Sequence, residues 1–405
     1  MKIIKEYPIL LPCNVDMQKW AVIACDQYTT DKNYWNKLES YVGTAPSTLH
    51  LIFPEIYLKS KNIEHRIDKI DSTMSDYLSN NVFSEINGFI LTERDIGNGK
   101  KRIGLIACVD LEEYDYLSDN TSIRPTEETI EDRLPIRIHI REKAPIELPH
   151  ILLLMDDENH TILEPLIKNK NEFEKLYDFN LNMNGGHICG YKIPYSDSIN
   201  KKFDALLDKE LQISKYGKNA NLLFAVGDGN HSMATAKKCW ENIKNSLDKE
   251  SRKNHPARFA LVEIINIYDE ALELHPIHRN ILNCNPDEFC KNLQNHLTGN
   301  GTLTVITPTG ERKLSCPECA EQTIIQVQNF LEKQKKNGIT IEYVHEEETV
   351  RLDAEKENCV GIIMPSFPKN RLFDYTVNVG KLPKKAFSIG EERTKKYYIE
   401  AKRIK

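Results

Sequence analysis

Leu222-Leu-Phe-Ala-Val-Gly227-Asp-Gly-Asn-His-Ser232-Met-Ala-Thr-Ala236 is the stretch on which the reading of this chain turns. Asn221 to Val226 is an apolar run that reads as a buried strand, and Met233 to Leu247 carries a helical pattern. Between them, two glycines allow a sharp turn and a close approach of backbone to a ligand. A strand that turns straight into a helix leaves the helix's first N–H groups and its positive dipole end at the turn, which suits a phosphate or another anion. Asp228 and His231 add acid–base or metal-binding capacity at the same point. A plain turn capped by Asp, Asn and Ser would use the same residue types. An Asp and a His held between an apolar strand and a helix favour function over that plainer reading. The pattern is not a dinucleotide fingerprint, because Ser232 stands at the third glycine position, and no Gly-Lys-Ser/Thr follows as in a phosphate-binding P-loop.

Outward from this turn the chain divides into three blocks: 1–149, 150–282 and 283–405. In the central block, Ile151 to Met155 and Ala257 to Tyr268 read as strands, while Thr161 to Tyr177 and Lys201 to Tyr216 read as helices; strands alternating with helices predict α/β architecture. In the first block, Trp20 to Cys25 reads as a buried strand and Lys32 to Tyr41 as a helix. Gly88 to Thr92 and Ile103 to Val109 flank Gly97-Asn98-Gly99, a hairpin turn signal. In the third block, Pro286 to Leu297 and Pro317 to Lys335 read as helices, Ile339 to Val344 and Cys359 to Met364 as strands, and the charged tail Glu391 to Lys405 as a closing helix. The fold class is therefore mixed α/β (α+β), with a strand–turn–helix core and further α/β regions on either side.

The bulk composition narrows the function classes. The chain has 405 residues, 40% hydrophobic and 28% charged, with a net charge of −6. This is ordinary globular composition, and the acidic balance argues against a nucleic-acid partner. No segment approaches the roughly 20 apolar residues that span a bilayer, and the Ile9-Leu10-Leu11 run is too short for a signal sequence; a cytoplasmic location without membrane contact is expected. The ten cysteines sit mostly in apolar runs, as reduced thiols do. Only Cys316-Pro-Glu-Cys319 has metal-ligand spacing, and it reads as two thiols at a helix start.

Four further clusters could carry chemistry. Arg124, Glu127, Glu128, Arg133, Arg137 and Arg141 lie close in sequence, and arginine suits bidentate recognition of phosphate. The spacing of four would align Arg133, Arg137 and Arg141 on a helix, but Pro135 and the alternating Ile136, Ile138 and Ile140 favour a strand. Glu263 lies inside an apolar strand, where a carboxylate needs a partner such as Arg258 or Arg279; His278 and Arg279 follow. Lys384, Lys385 and Ser388 precede a glycine in a pattern that suits a phosphate contact or a solvated lysine pair. Asn184-Gly-Gly-His187 reads as a structural turn.

Eight ordered segments together resemble one family: Trp20 to Tyr28, Pro46 to Leu51, Arg124-Pro-Thr-Glu127 with Arg133, Glu147 to His150, Gly227 to Ser232, His255 to Glu263, Pro276 to Arg279 and Leu382 to Gly390. The chain resembles the pyrophosphate-dependent serine kinases, a bacterial and protist group formerly described as a domain of unknown function. Its Asp-Gly-Asn-His-Ser turn is also similar to the Asp-Gly-His-His-Arg motif of free serine kinases with the ParB-like, sulfiredoxin-like fold, departing at Asn230 and Ser232. The resemblance implies phosphorylation of the hydroxyl of free L-serine by pyrophosphate with Mg²⁺, giving O-phosphoserine. It implies that Asp228 or Glu127 acts as the base while the other helps to hold the metal, Asp228 being the named metal ligand, and that His231 contributes to catalysis from the phosphate cradle. Gly229, Asn230 and Ser232 would line the phosphate cradle; Arg124, Arg133, Arg137, Lys384 and Lys385 would clamp the donor, with His278, Arg279 and Ser388 as further binding residues. A kinase using ADP or ATP, and a ParB-like binding or regulatory protein without catalysis, are the alternatives. The oligomeric state is not legible.

Overall fold

The computed structural model describes residues 3–97 and 99–405, apart from the side chain of Asn337. Its secondary structure is mixed α and β. The chain gathers into two compact units: one of residues 1–272, 376–380 and 392–405, the other of residues 273–375 and 381–391. The first block and residues 150–272 of the second share one unit with residues 392–405, while residues 273–282 fall in the other.

The first unit is built on a nine-stranded sheet. Its strands are β1 (Ile4–Lys5), β2 (Phe89–Asp95), β3 (Lys101–Asp110), β4 (Ile123–Pro125), β5 (Leu152–Met155), β6 (Lys175–Asn180), β7 (His187–Ile193), β8 (Phe224–Asp228) and β9 (Phe259–Asn266). They lie in the order β6-β7-β2-β3-β9-β5-β8-β4, with β1 on the side of β3. The hairpin expected around Gly97 joins β2 to β3; its turn residue Asn98 lies outside the described residues. Along β3, Ile106 and Cys108 enter one apolar cluster while Leu105, Ala107 and Val109 enter another, so the sheet carries a core on each face. The second cluster receives Met233, Ala236 and Trp240 of the helix α2 (Asn230–Lys244), whose apolar residues at helical spacing press against Leu153, Phe224 and Val226.

The second unit holds an antiparallel five-stranded sheet in the order 310–316, 301–307, 359–363, 278–282, 340–344. The helices Pro286–His296 and Ala320–Gln334 belong to it.

Three local expectations are corrected. Residues 133–141 are not a strand: helix α1 runs Leu134–Lys143, with Pro135 in its first turn, where the missing N–H costs nothing and the fixed φ suits a helix. The tail 391–405 is not a helix but a strap. Tyr397–Tyr398 pairs with Val22–Ile23 and Lys402–Arg403 pairs with Ile146–Glu147, and the buried Ile399 and Ala401 between them give the strap its anchor. Thr161 to Tyr177 holds only a short helix, Leu163–Lys168, before β6 begins. All ten cysteines are free thiols, and Cys319 immediately precedes the helix Ala320–Gln334, its Sγ donating to Glu321 Oε2 at 2.6 Å. Glu263 is a buried structural acid, as its apolar surroundings demand, but its partners are Thr92 Oγ1 at 2.9 Å and Lys396 Nζ at 3.4 Å; Arg258 pairs instead with Asp110.

Candidate active site

Strand directions decide what meets at the Gly227–Ser232 turn. β8 runs parallel to β4 in the register Phe224↔Ile123, Ala225↔Arg124, Val226↔Pro125. Asp228 ends β8, and Glu127 follows the end of β4 by two residues, so both lie at the same end of these adjacent parallel strands. Thr126 Oγ1 fixes this level by donating to Val226 O at 2.7 Å. β5 runs antiparallel to β8, so its N-terminal end, with His150 and Ile151 before it, comes to the same edge. The ladder between β8 and β5 shifts between Val226 and Asp228, a local irregularity of the kind that sits beside functional sites. Gly229 adopts φ +82°, and a Cβ there would lie 3.0 Å from Ile151 Cα. Both the handedness and the space demand glycine.

The Asp228 carboxylate is held on both oxygens. Oδ1 accepts the Gly229 N–H at 2.9 Å and Oδ2 accepts from Lys395 Nζ at 2.9 Å. Lys395 comes from the C-terminal strap, and its side chain is only 8% exposed. The His231 Nε2 accepts the Ile130 N–H at 3.3 Å, so that nitrogen is unprotonated and ties helix α2 to the segment carrying Glu127. Asn230 Oδ1 is buried without a hydrogen-bond partner among the described residues.

A second group of side chains adjoins the helix start. Ser232 Oγ lies 3.3 Å from His150 Nε2, and Asp26 Oδ2 lies 3.5 Å from the same nitrogen. His150 Nδ1 lies 2.6 Å from the Tyr398 hydroxyl, which itself donates to Cys25 Sγ at 3.2 Å. The Tyr398 oxygen therefore accepts, and Nδ1 carries a proton. Burial opposes charge on His150, but Asp26 and, more weakly, Asp228 outweigh it and hold the imidazole above its usual range. Burial likewise opposes ionisation of Asp26, and His150 overcomes it, holding that carboxyl below the usual range. Burial pushes the Cys25 thiol up, with Asp26 adding to it, so Cys25 stays a neutral acceptor.

Of the other residues expected at the site, each has partners of its own within its unit. Arg124 is buried with its guanidinium on the backbone carbonyls of Thr121 and Ala220, at the opposite ends of β4 and β8. It satisfies strand-edge carbonyls rather than a phosphate. Arg137 of α1 pairs with Glu55, whose N–H donates to Cys25 O at 2.8 Å beside Asp26 and His150; Arg141 pairs with Glu147, and Arg133, just before α1, is exposed. His278, Arg279, Lys384, Lys385 and Ser388 belong to the second unit. There His278 Nδ1 accepts the Met364 N–H at 3.0 Å, Arg279 donates to the carbonyls of Ile277 and Lys385, Lys384 pairs with Glu332 at 2.9 Å, and Ser388 Oγ donates to Gly390 O at 3.3 Å. Asp26, His150, Lys395 and Tyr398 were not among the expected site residues. Asp26 and His150 fall within two of the family-like segments, yet as single residues they carry no spacing signal; Lys395 and Tyr398 lie in the tail whose charge pattern reads as a helix.

The edge thus combines two carboxylates, Asp228 and Glu127, with a helix N-terminus, a buried ammonium and an imidazole that Asp26 biases toward its charged form. Such a site can hold a polyanion and take a proton from a hydroxyl. No helix among the described residues is long and apolar enough to cross a membrane.

A family model described as "Protein of unknown function (DUF1015)" matches residues 12–377. No curated protein matches the sequence. Among solved structures, a free serine kinase in complex with AMP is similar at 11% identity and a TM-score of 0.41, covering 76% of this chain and 95% of its own. A conserved hypothetical protein from Pyrococcus furiosus is similar at 13% identity and a TM-score of 0.37, covering 70% and 90%. SbnI from Staphylococcus aureus, with a C-terminal truncation, is similar at 10% identity and a TM-score of 0.39, covering 70% and 82%.

Proposed function

The chain belongs to the DUF1015 family, and we propose that it is a phosphotransferase that phosphorylates the hydroxyl of free L-serine with pyrophosphate as donor. The observation that carries the reading is Asp228 at the end of β8, paired with Lys395 at the N-terminus of α2, with Glu127 two residues beyond the end of the adjacent parallel β4. Phosphoryl transfer asks little covalent chemistry of a protein; it asks for in-line positioning and for positive charge around the transferring group. Serine and pyrophosphate as the particular substrates rest on the resemblance of the eight segments.

In this reading the first N–H groups of α2, from Asn230 to Ser232, cradle one phosphate, and Lys395 neutralises its charge. His150, kept cationic by Asp26, faces the same helix start through Ser232 and donates to a donor oxygen as charge moves onto the departing phosphate. Glu127 accepts the serine hydroxyl proton, and His231 holds the Glu127 segment in place through Ile130. Asp228 orients Lys395. Its carboxylate and the orphan Asn230 Oδ1 make an all-oxygen donor set, which fits Mg²⁺, an ion that takes one or two carboxylates and leaves its other positions to phosphate and water. When bound there, Mg²⁺ would supply charge neutralisation between the phosphates.

The test is phosphoserine formation from L-serine and Mg²⁺ supplied in parallel with pyrophosphate, ADP or ATP. Product with pyrophosphate alone supports the reading. Product only with a nucleotide overturns the donor, and no product with any donor overturns the reaction.

A further inference from the structure

His187 follows a Gly-Gly turn that the proposed reaction does not use. Its place is fixed by the backbone. Leu181 N–H donates to Gly186 O at 2.8 Å to close the β6–β7 hairpin. Gly186 has φ +86°, and a Cβ there would collide with Asp95 O; a Cβ on Gly190 would run into the Tyr177 ring. In the antiparallel register Asp178 stands opposite Cys189 and Asn180 opposite His187. Opposed residues, and residues two apart, share one face of a sheet. Asp178, His187 and Cys189 therefore project from the same face, on backbone that cannot slide.

We propose that Asp178, His187 and Cys189 form a metal site for a borderline-soft divalent cation such as Zn²⁺. One donor atom from each lies within 4.8 Å of the others, and Cys189 Sγ stands 3.9 Å from His187 Nδ1. With Zn–S of about 2.3 Å and Zn–N of about 2.0–2.1 Å, the S···N edge of a tetrahedral site is about 3.6 Å. Asp178 now meets the other ring nitrogen, Nε2, so its carboxylate must swing toward Nδ1 for the three donors to face one cation. The donor types decide the ion: a thiolate and an imidazole select Zn²⁺ over Mg²⁺ or Ca²⁺. Without metal, Asp178 Oδ2 holds Lys175 at 2.6 Å and Oδ1 meets His187 Nε2 at 2.9 Å. The cation takes the place of the proton on the thiol, which leaves to solvent as the S–metal bond forms. Asp178 and His187 side chains are each 40% exposed, so the fourth position opens to water, the pattern of three protein ligands plus an open site. Five strand spacings separate β7 from β8 in the sheet order, about 24 Å, so this site is distinct from the one at Asp228.

The experiment is titration of the chelator-treated full chain with Co²⁺ as a spectroscopic probe, followed by displacement with Zn²⁺. One equivalent of Co²⁺ should produce a thiolate-to-metal charge-transfer band that Zn²⁺ removes. The Cys189→Ala variant should lose the band, and His187→Ala, at a half-exposed position that folding tolerates, should bind Co²⁺ at least tenfold more weakly. A band that survives in Cys189→Ala, no band in the unaltered chain, or unchanged affinity in His187→Ala overturns the site and leaves an ordinary ion-paired hairpin.

Discussion

Replacing Gly229 by alanine tests whether the turn's geometry is as constrained as the structure makes it. Two costs arise. At φ +82° an L side chain incurs the left-handed penalty, about 1–2 kcal/mol. The new Cβ would also meet Ile151 Cα at 3.0 Å and Cγ1 at 3.2 Å. The Cγ1 atom can yield by rotation, but the Cα belongs to the backbone leading into the strand next to Asp228 and cannot, so overpacking adds about 1–3 kcal/mol. The expected destabilisation is roughly 2–5 kcal/mol in total. Gly217→Ala separates the two contributions, because Gly217 has φ +75° with nothing within 4 Å of a Cβ placed on it, and so carries the conformational cost alone, about 1–2 kcal/mol. Urea denaturation of both variants reads the difference directly. Relief of the Ile151 contact also moves the α2 start away from Asp228, so Gly229→Ala should lose activity while Gly217→Ala keeps it. If Gly229→Ala unfolds at the same urea concentration as Gly217→Ala and remains active, the turn is not packed as argued.

Lys395→Met removes the ammonium 2.9 Å from Asp228 Oδ2; loss of one preorganised charge at the transferring group should lower kcat by about 10²-fold or more, measured by steady-state phosphoserine formation. The His150–Asp26 pair makes a pH-dependent contribution to stability. His150 is raised in the folded chain, so its share is full below the unfolded value of about 6.5 and is lost as pH rises through the folded one; Asp26 is lowered, so its share is present above about 3.9 and is lost as pH falls. His150→Gln should therefore cost most stability between about pH 4 and 6.5 and progressively less above, which denaturation curves across pH will show; a constant difference would remove the ion pair from the account.

The strand–turn–helix at 222–244 was legible because its signals are local: an apolar run, two glycines, then helical spacing. The hairpin of β2 and β3 was legible for the same reason. Helix α1 was misread because Pro135 is ambiguous, starting a helix as readily as interrupting one, and the isoleucine alternation is half-buried rather than a true inner face. Arg124 drew attention as a charge in a cluster, and only strand pairing shows that its guanidinium faces unpaired carbonyls. Asp26, His150, Lys395 and Tyr398 come from three distant segments that meet because Tyr397–Tyr398 pairs with Val22–Ile23 and β5 runs against β8. Non-local pairing of that kind has no signature in spacing, and the tail that completes it presents mostly charged residues, which read as an exposed helix.

Phosphoserine formation by Asp228→Asn tests the central claim most directly. The amide keeps the shape and can still accept the Gly229 N–H, but it loses the charge that pairs with Lys395, so the account predicts a protein that still folds, destabilised by about 1–3 kcal/mol, with turnover reduced by at least about 10²-fold. Full turnover in a folded Asp228→Asn chain would contradict it.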